Sequence, residues 1–146
     1  GVYSSDWLEP LAEVMQRLGA RHVLVVHSHD GLDEISLAEA TEVAELKEDT
    51  IRRYRIEPED FGITRQPLDR LIVDGPEQSV ACVRAALGGE PGPVADMIAL
   101  NAGAAIYAAD LAEDLVAGIA TAQRLLADGA ALDKLEQLVA MTRSCD

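Results

Sequence analysis

Residues 29–36 read HDGLDEIS and set two neighbouring carboxylates, Asp33 and Glu34, two residues beyond Gly31 and just after the apolar stretch RHVLVVHS. Such oxygen donors suit magnesium, which keeps several of its waters. One or two carboxylates commonly hold it, and a substrate's phosphates complete its shell. On a loop that turns sharply, Asp33 and Glu34 can both reach one ion. An exposed acidic turn, in a chain with 26 acidic residues, explains the same pair, and spacing alone leaves both readings open.

Other chemistry has less to work with. A zinc reading would combine His27 and His29 with Asp30, Asp33 or Glu34. The third histidine, His22, stands at the far end of the apolar run, and His27 equally suits a strand-edge residue bonded to backbone. Neither Cys82 nor Cys145 has a base nearby in sequence, and no Gly-x-Ser-x-Gly elbow occurs. The glycine-rich GGEPGP at 88–93 carries prolines where phosphate-binding N–H groups would be needed, and no Walker lysine. Arg52, Arg53 and Arg55 read as a solvated, ion-paired strand or as an anion clamp. Asn101, inside an apolar helix, reads as a catalytic amide or as a helix-packing hydrogen bond.

The elements around these residues follow from periodicity. A helix is expected over about 6–18, with Asp6 and Glu9 at capping-box spacing and Ser5 as a competing cap. Trp7, Leu11, Val14, Met15 and Leu18 form one apolar stripe on it, and Gly19 ends it in the left-handed conformation. HVLVV at 22–26 does not alternate, which suits a strand covered on both faces, as in a parallel sheet. The acidic loop then lies at the carboxyl end of that strand, the edge where open α/β sheets bind ligands. Residues 41–46 and 51–56 flank a polar turn and read as an antiparallel hairpin. EPEDFG follows as a turn or short helix. In the next helix Pro76 takes the first position, and Val80, Val83 and Leu87 are expected to form its buried stripe.

After the GGEPGP connector, residues 94–142 carry no strand signal and read as three helices, broken near Asp110 and at Gly129. Their apolar faces are Met97, Leu100, Ala104, Tyr107, Ala108 and Leu111, then Leu115, Ile119, Ala122 and Leu126, then Leu132, Leu135 and Val139. The NAGAA centre at 101–105 is small enough for another backbone to approach closely. The expected fold is one α/β domain: a small mixed, mostly parallel sheet with an antiparallel hairpin, flanked by helices, its C-terminal third all helical.

The totals bound the partners. With 146 residues and 49% apolar but only 3% aromatic composition, the core is built from Ala, Val, Leu and Ile. A net charge of −14 repels phosphate backbones and anionic headgroups, so neither nucleic acid nor membrane is the expected partner. No run approaches the ~20 apolar residues of a membrane helix, and no signal peptide is visible. Two cysteines placed this way fit a reducing cytoplasm better than a structural bridge. The start at GVYS, with neither initiator methionine nor leader, is what a piece of a longer protein would show.

In order, GVYS, LEPLAEVMQRLGARHVLVVHSHDGLDEISL, TEVAEL, PEDFGI, GPVADMIALNAGAAIYAADLA and DGAALDKLEQLV resemble the C-terminal portion of the anthranilate phosphoribosyltransferases, from Gly1 to about Arg143. The resemblance implies an enzyme of tryptophan biosynthesis. That family moves the phosphoribosyl group of phosphoribosyl pyrophosphate onto anthranilate, releasing pyrophosphate, with magnesium. A small helical domain joins a larger α/β domain at a hinge that carries the active site, and homodimers associate through the helical domain. The family's Asp-Glu pair, which helps hold magnesium on the pyrophosphate side, falls on Asp33 and Glu34.

The family's GTGGD pyrophosphate loop, its KHGN stretch, the arginine that meets anthranilate and the rest of the helical domain have no counterpart in this sequence. Residues 1–146 are therefore expected to be the C-terminal α/β domain of a larger enzyme, inert alone. Two other readings compete: a non-catalytic relative serving as a binding module, and a domain like that of the pyrimidine nucleoside phosphorylases. GLDEIS and LNAGAAIY favour the transferase.

Overall fold

The computed structural model describes residues 1–144, and Cys145 lies outside them. A 3₁₀ turn, Ser5–Trp7, runs into helix α1, Leu8–Arg17. The cap is Ser4, whose Oγ accepts the Asp6 N–H at 3.3 Å, in place of the expected Asp6 or Ser5. Gly19 ends the helix at φ 84°, as expected.

Three strands follow: β1, His22–Ser28; β2, Thr41–Lys47; and β3, Thr50–Ile56. They form one sheet in the order β1-β2-β3, both pairs antiparallel, with Val26 opposite Val43 and Val43 opposite Tyr54. The mostly parallel sheet is thus corrected. The unalternating HVLVV run did report burial on both faces. On one face Val25 and Ala44 pack on Leu8 and Ala12 of α1. On the other, Val26 and Val43 meet Leu100, Ala104 and Ile119. Burial of both faces says nothing about the direction of a neighbour, which is where the inference failed. The hairpin stands as expected. Its two central residues, Glu48 (φ 48°) and Asp49 (φ 63°), take the left-handed conformation of a twist-matched two-residue turn.

Short 3₁₀ turns at Pro58–Phe61 and Leu68–Leu71 lead to the helices α2, Pro76–Leu87; α3, Pro93–Ala108; α4, Leu115–Ala127; and α5, Ala130–Arg143. The three-helix reading of the last third holds, breaks included. The small NAGAA centre does admit a second backbone. A Cβ on Gly103 would stand 2.4 Å from the Ile119 Cα, and one on Gly118 2.4 Å from the Gly103 carbonyl oxygen.

Two apolar stripes are not covered as expected. Val80 is 55% exposed, and α2 instead buries Ala86, with Leu87 packed beside Ala99, Ala122 and Leu126. On α1 the buried residues are Leu8 and Ala12, while Trp7 and Leu18 are 47% and 76% exposed. Periodicity reports which side chains share a face and not what lies opposite it. Glu9 reaches Arg53 at 3.8 Å and Gln16 reaches Asp49 at 2.8 Å, so their flank of α1 lies toward β3. The stripe sits roughly half a turn round the helix, on the β1 side. Along that edge of β1 the Val2 N–H donates to Val26 O at 2.9 Å. Leu24 turns its backbone groups the same way, because those directions alternate along a strand. No single helix among the described residues is long and apolar enough to cross a membrane.

Candidate metal centre

The loop from Ser28 to Thr41 carries Asp33 and Glu34, and it is braced at both ends. Upstream, Ser28 N–H donates to Leu32 O at 2.9 Å and Gly31 N–H to Ser28 O at 3.0 Å, with Gly31 at φ 93° closing the turn. Asp30 Oδ1 accepts the Leu32 N–H at 3.2 Å and its Oδ2 accepts the Ser36 hydroxyl at 2.5 Å, so one carboxylate ties the two ends together. Downstream, Ser36 N–H donates to Thr41 Oγ1 at 3.1 Å, and Ile35, Ser36 and Leu37 are buried. Between these braces Asp33 and Glu34 stand exposed. Among the described residues neither carboxylate is taken by an ion pair. Gly1 lies so close that a Cβ there would overlap the Asp33 carbonyl oxygen.

Burial pushes the Asp30 carboxyl up, but hydrogen bonds from Ser36, Ser28 and the Leu32 N–H outweigh it and hold the group below its ordinary 3.8. A carboxyl more acidic folded than unfolded contributes stability that is full above that ordinary value and is lost as pH falls through the folded one. Urea midpoints taken from about pH 6 to about pH 2.5 should therefore fall more steeply for the wild type than for Asp30→Asn. Parallel declines would show that Asp30 does not brace the loop.

The histidines do not join the pair. His27 Nδ1 meets Val2 O at 2.9 Å, the strand-edge reading, and His29 Nε2 meets Glu42 at 3.2 Å. Among the described residues no three His, Cys, Asp or Glu side chains converge as a metal cage. Arg53 and Arg55 bear out the ion-paired reading, at 3.6 Å from Glu42 and 2.6 Å from Glu57, whereas Arg52 makes no ion pair among the described residues. What remains is two unpaired carboxylates on a fixed ledge. They fit a hard cation that takes one or two protein ligands and fills its shell with water and phosphate oxygens.

Sequence reading missed a polar cluster at the other end of β1. His22 lies between Asp110 (Nδ1 to Oδ1, 2.7 Å) and Glu45 (Nε2 to Oε1, 3.2 Å). The Tyr107 hydroxyl donates to Glu45 at 2.7 Å and accepts from Lys47 Nζ at 3.2 Å. The hydrogen bond with His22 holds Asp110 below the usual carboxylate range. A cavity of about 620 Å³ opens here beside Arg21, His22, Lys47 and Asp110. The available signal was Tyr107 on an apolar helix face, since a buried tyrosine hydroxyl needs a partner. The cluster joins β1 and β2 to the end of α3, and it lies away from Asp33 and Glu34.

Residues 1–132 match the family described as "Glycosyl transferase family, a/b domain". The chain belongs to that family. It is 51% identical over 145 residues to the anthranilate phosphoribosyltransferase of Thioalkalivibrio sulfidiphilus, covering 99% of this chain and 43% of the relative. With the enzyme of that name from Pseudomonas fluorescens it shares 57% identity, over 97% of this chain and 42% of the relative. The crystal structure of anthranilate phosphoribosyltransferase from Thermus thermophilus superposes with a TM-score of 0.89 at 44% identity, over 98% of this chain and 42% of that one. The Saccharomyces cerevisiae enzyme in complex with PRPP and Mg gives 0.85 at 24% identity, over 99% and 42%, a likeness of fold alone. The chain thus spans less than half the length of these relatives.

Proposed function

We propose that residues 1–146 are the C-terminal α/β domain of an anthranilate phosphoribosyltransferase, which moves phosphoribosyl from phosphoribosyl pyrophosphate to anthranilate and releases pyrophosphate. The observation that carries this reading is identity of 51% and 57% to relatives of that name across nearly the whole chain. The greater length of those relatives fits the bare α1 stripe and the part of the β1 edge at Leu24 that Val2 does not cover, which would seat further polypeptide. The helical domain would lie in that further polypeptide, and the complete enzyme would associate through it as a homodimer in a reducing cytoplasm.

Asp33 and Glu34 take the role of magnesium ligands on the pyrophosphate side. Their exposure and freedom from basic partners support this, and the yeast neighbour was solved with PRPP and Mg. Magnesium bound there would stabilise the charge that gathers on pyrophosphate as the glycosidic bond breaks. The chain's own part is to keep two carboxylates fixed in place, so that little reorganisation is left for the reaction. Groups for the ribose and for anthranilate would come from outside these residues.

The test combines this chain with a separately produced remainder of the Pseudomonas fluorescens enzyme and follows PRPP-dependent loss of anthranilate fluorescence. The chain alone should give no turnover, and the mixture should restore it. Asp33→Asn with Glu34→Gln in the mixture should lower the rate by about 100-fold or more and raise the magnesium needed. Turnover by the chain alone would overturn the divided site. An unchanged magnesium requirement in the double variant would remove the metal role from Asp33 and Glu34.

A further inference from the structure

We propose that Asn101 is the positioning residue of the metal loop, setting through the Ile35 backbone the direction in which Asp33 and Glu34 face a shared divalent cation. This rests on the metal role proposed above. Asn101 Oδ1 accepts the Ile35 N–H at 2.8 Å, and Asn101 Nδ2 donates to Ile35 O at 2.9 Å and to Met97 O at 3.1 Å. Two of the three bonds therefore leave the helix. One planar amide satisfies both backbone groups of a single residue, as a neighbouring strand would.

The residue so held immediately follows Glu34. Its side chain is 3% exposed and packs in the cluster that contains Leu100 and Ile119. Upstream, the Ser28 and Asp30 bonds end at Leu32. Asp33 and Glu34 are thus the two residues between one fixed point at Leu32 and another at Ile35. Without the amide, Ile35 keeps only its side-chain packing, the nearest downstream backbone bond moves to Ser36, and Glu34 gains backbone freedom. Aiming two adjacent carboxylates, which would otherwise point to opposite sides of an extended chain, requires that freedom to be removed. A role confined to helix packing would need only the bond to Met97 O.

The experiment titrates Mn²⁺, an EPR-visible stand-in for magnesium, into the 146-residue chain and reads amide hydrogen exchange on the same samples. The wild type should show a strongest site that Asp33→Asn with Glu34→Gln abolishes. Asn101→Ala should weaken that site at least about fivefold and speed exchange at Ile35 about tenfold or more, with β1 and β2 unchanged. Ala105→Gly, an exposed change elsewhere on α3, lowers helix stability without touching the loop and should leave Mn²⁺ affinity unaltered. Should Asn101→Ala not fold, Asn101→Ser, too short to span both groups, carries the same comparison. A strongest site that survives the double carboxylate variant overturns the metal reading, and this proposal with it. A site lost in that variant but unchanged by Asn101→Ala or Asn101→Ser overturns the positioning role alone, as does equal weakening by Ala105→Gly.

Discussion

Gly118→Ala is expected to lower the melting temperature by several degrees, although alanine is the better helix former. Propensity favours the change by about 1 kcal/mol at an interior helical position. Against it, the new Cβ would stand 2.4 Å from the Gly103 carbonyl oxygen. Overpacking costs typically about 1–3 kcal/mol, and more when the struck atom cannot rotate away. A backbone carbonyl cannot. The two helices must separate along the seam that also carries Ile119 and Leu100, so the net loss is about 2 kcal/mol or more. In a chain of this size that shifts the midpoint by roughly 2–4 °C per kcal/mol. Gly103→Ala should behave alike, since its Cβ would meet the Ile119 Cα at 2.4 Å. Thermal unfolding followed by circular dichroism decides it. A raised midpoint in either variant would mean that α3 and α4 do not approach this closely.

Leu37→Ala is expected to remove about 3 kcal/mol of unfolding free energy, within the usual 2–5 for such truncations. Leu37, within the Ser28–Thr41 loop, is fully buried with Ile35, Val43 and Leu100, and its carbonyl accepts the Gln66 N–H at 3.1 Å. The truncation leaves a cavity walled by a sheet and a helix, neither free to collapse into it. Urea denaturation should show a lower midpoint at unchanged slope. Val80→Ala, on the uncovered face of α2, should stay within about 0.5 kcal/mol. Comparable losses at the two positions would contradict the burial pattern.

These contrasts mark how far local sequence reached. Helix α3 was legible because Leu100, Ala104 and Tyr107 repeat at helical spacing after the Gly- and Pro-rich connector, and all three of those are buried. The hairpin was legible because the polar turn Lys47-Glu48-Asp49-Thr50 separates TEVAEL from IRRYRI. Asp33 and Glu34 were legible as candidates because residue type and the preceding Gly31 are local facts. Asn101 was legible only as a polar intruder, since its partner Ile35 lies 66 residues away. The bond from Asp30 to Ser36 is closer in sequence but depends on how the loop folds back on itself.

Covalent geometry and side-chain type act at short range, so the chain alone determined where helices, strands and turns form and which carboxylates could meet a cation. Strand direction, the cover over each apolar stripe and the pairing of polar groups depend on what lies opposite. The same β-branched run tolerates either neighbour direction. The same stripe on α1 or α2 is stable bare or covered until another surface arrives. Only the tertiary structure decided that β1 meets β2 antiparallel, that α3 and α4 touch through two glycines, and that Asn101 holds the residue next to Glu34. Each is a contact between distant segments, where free energy depends on the fit of two surfaces and not on either one alone.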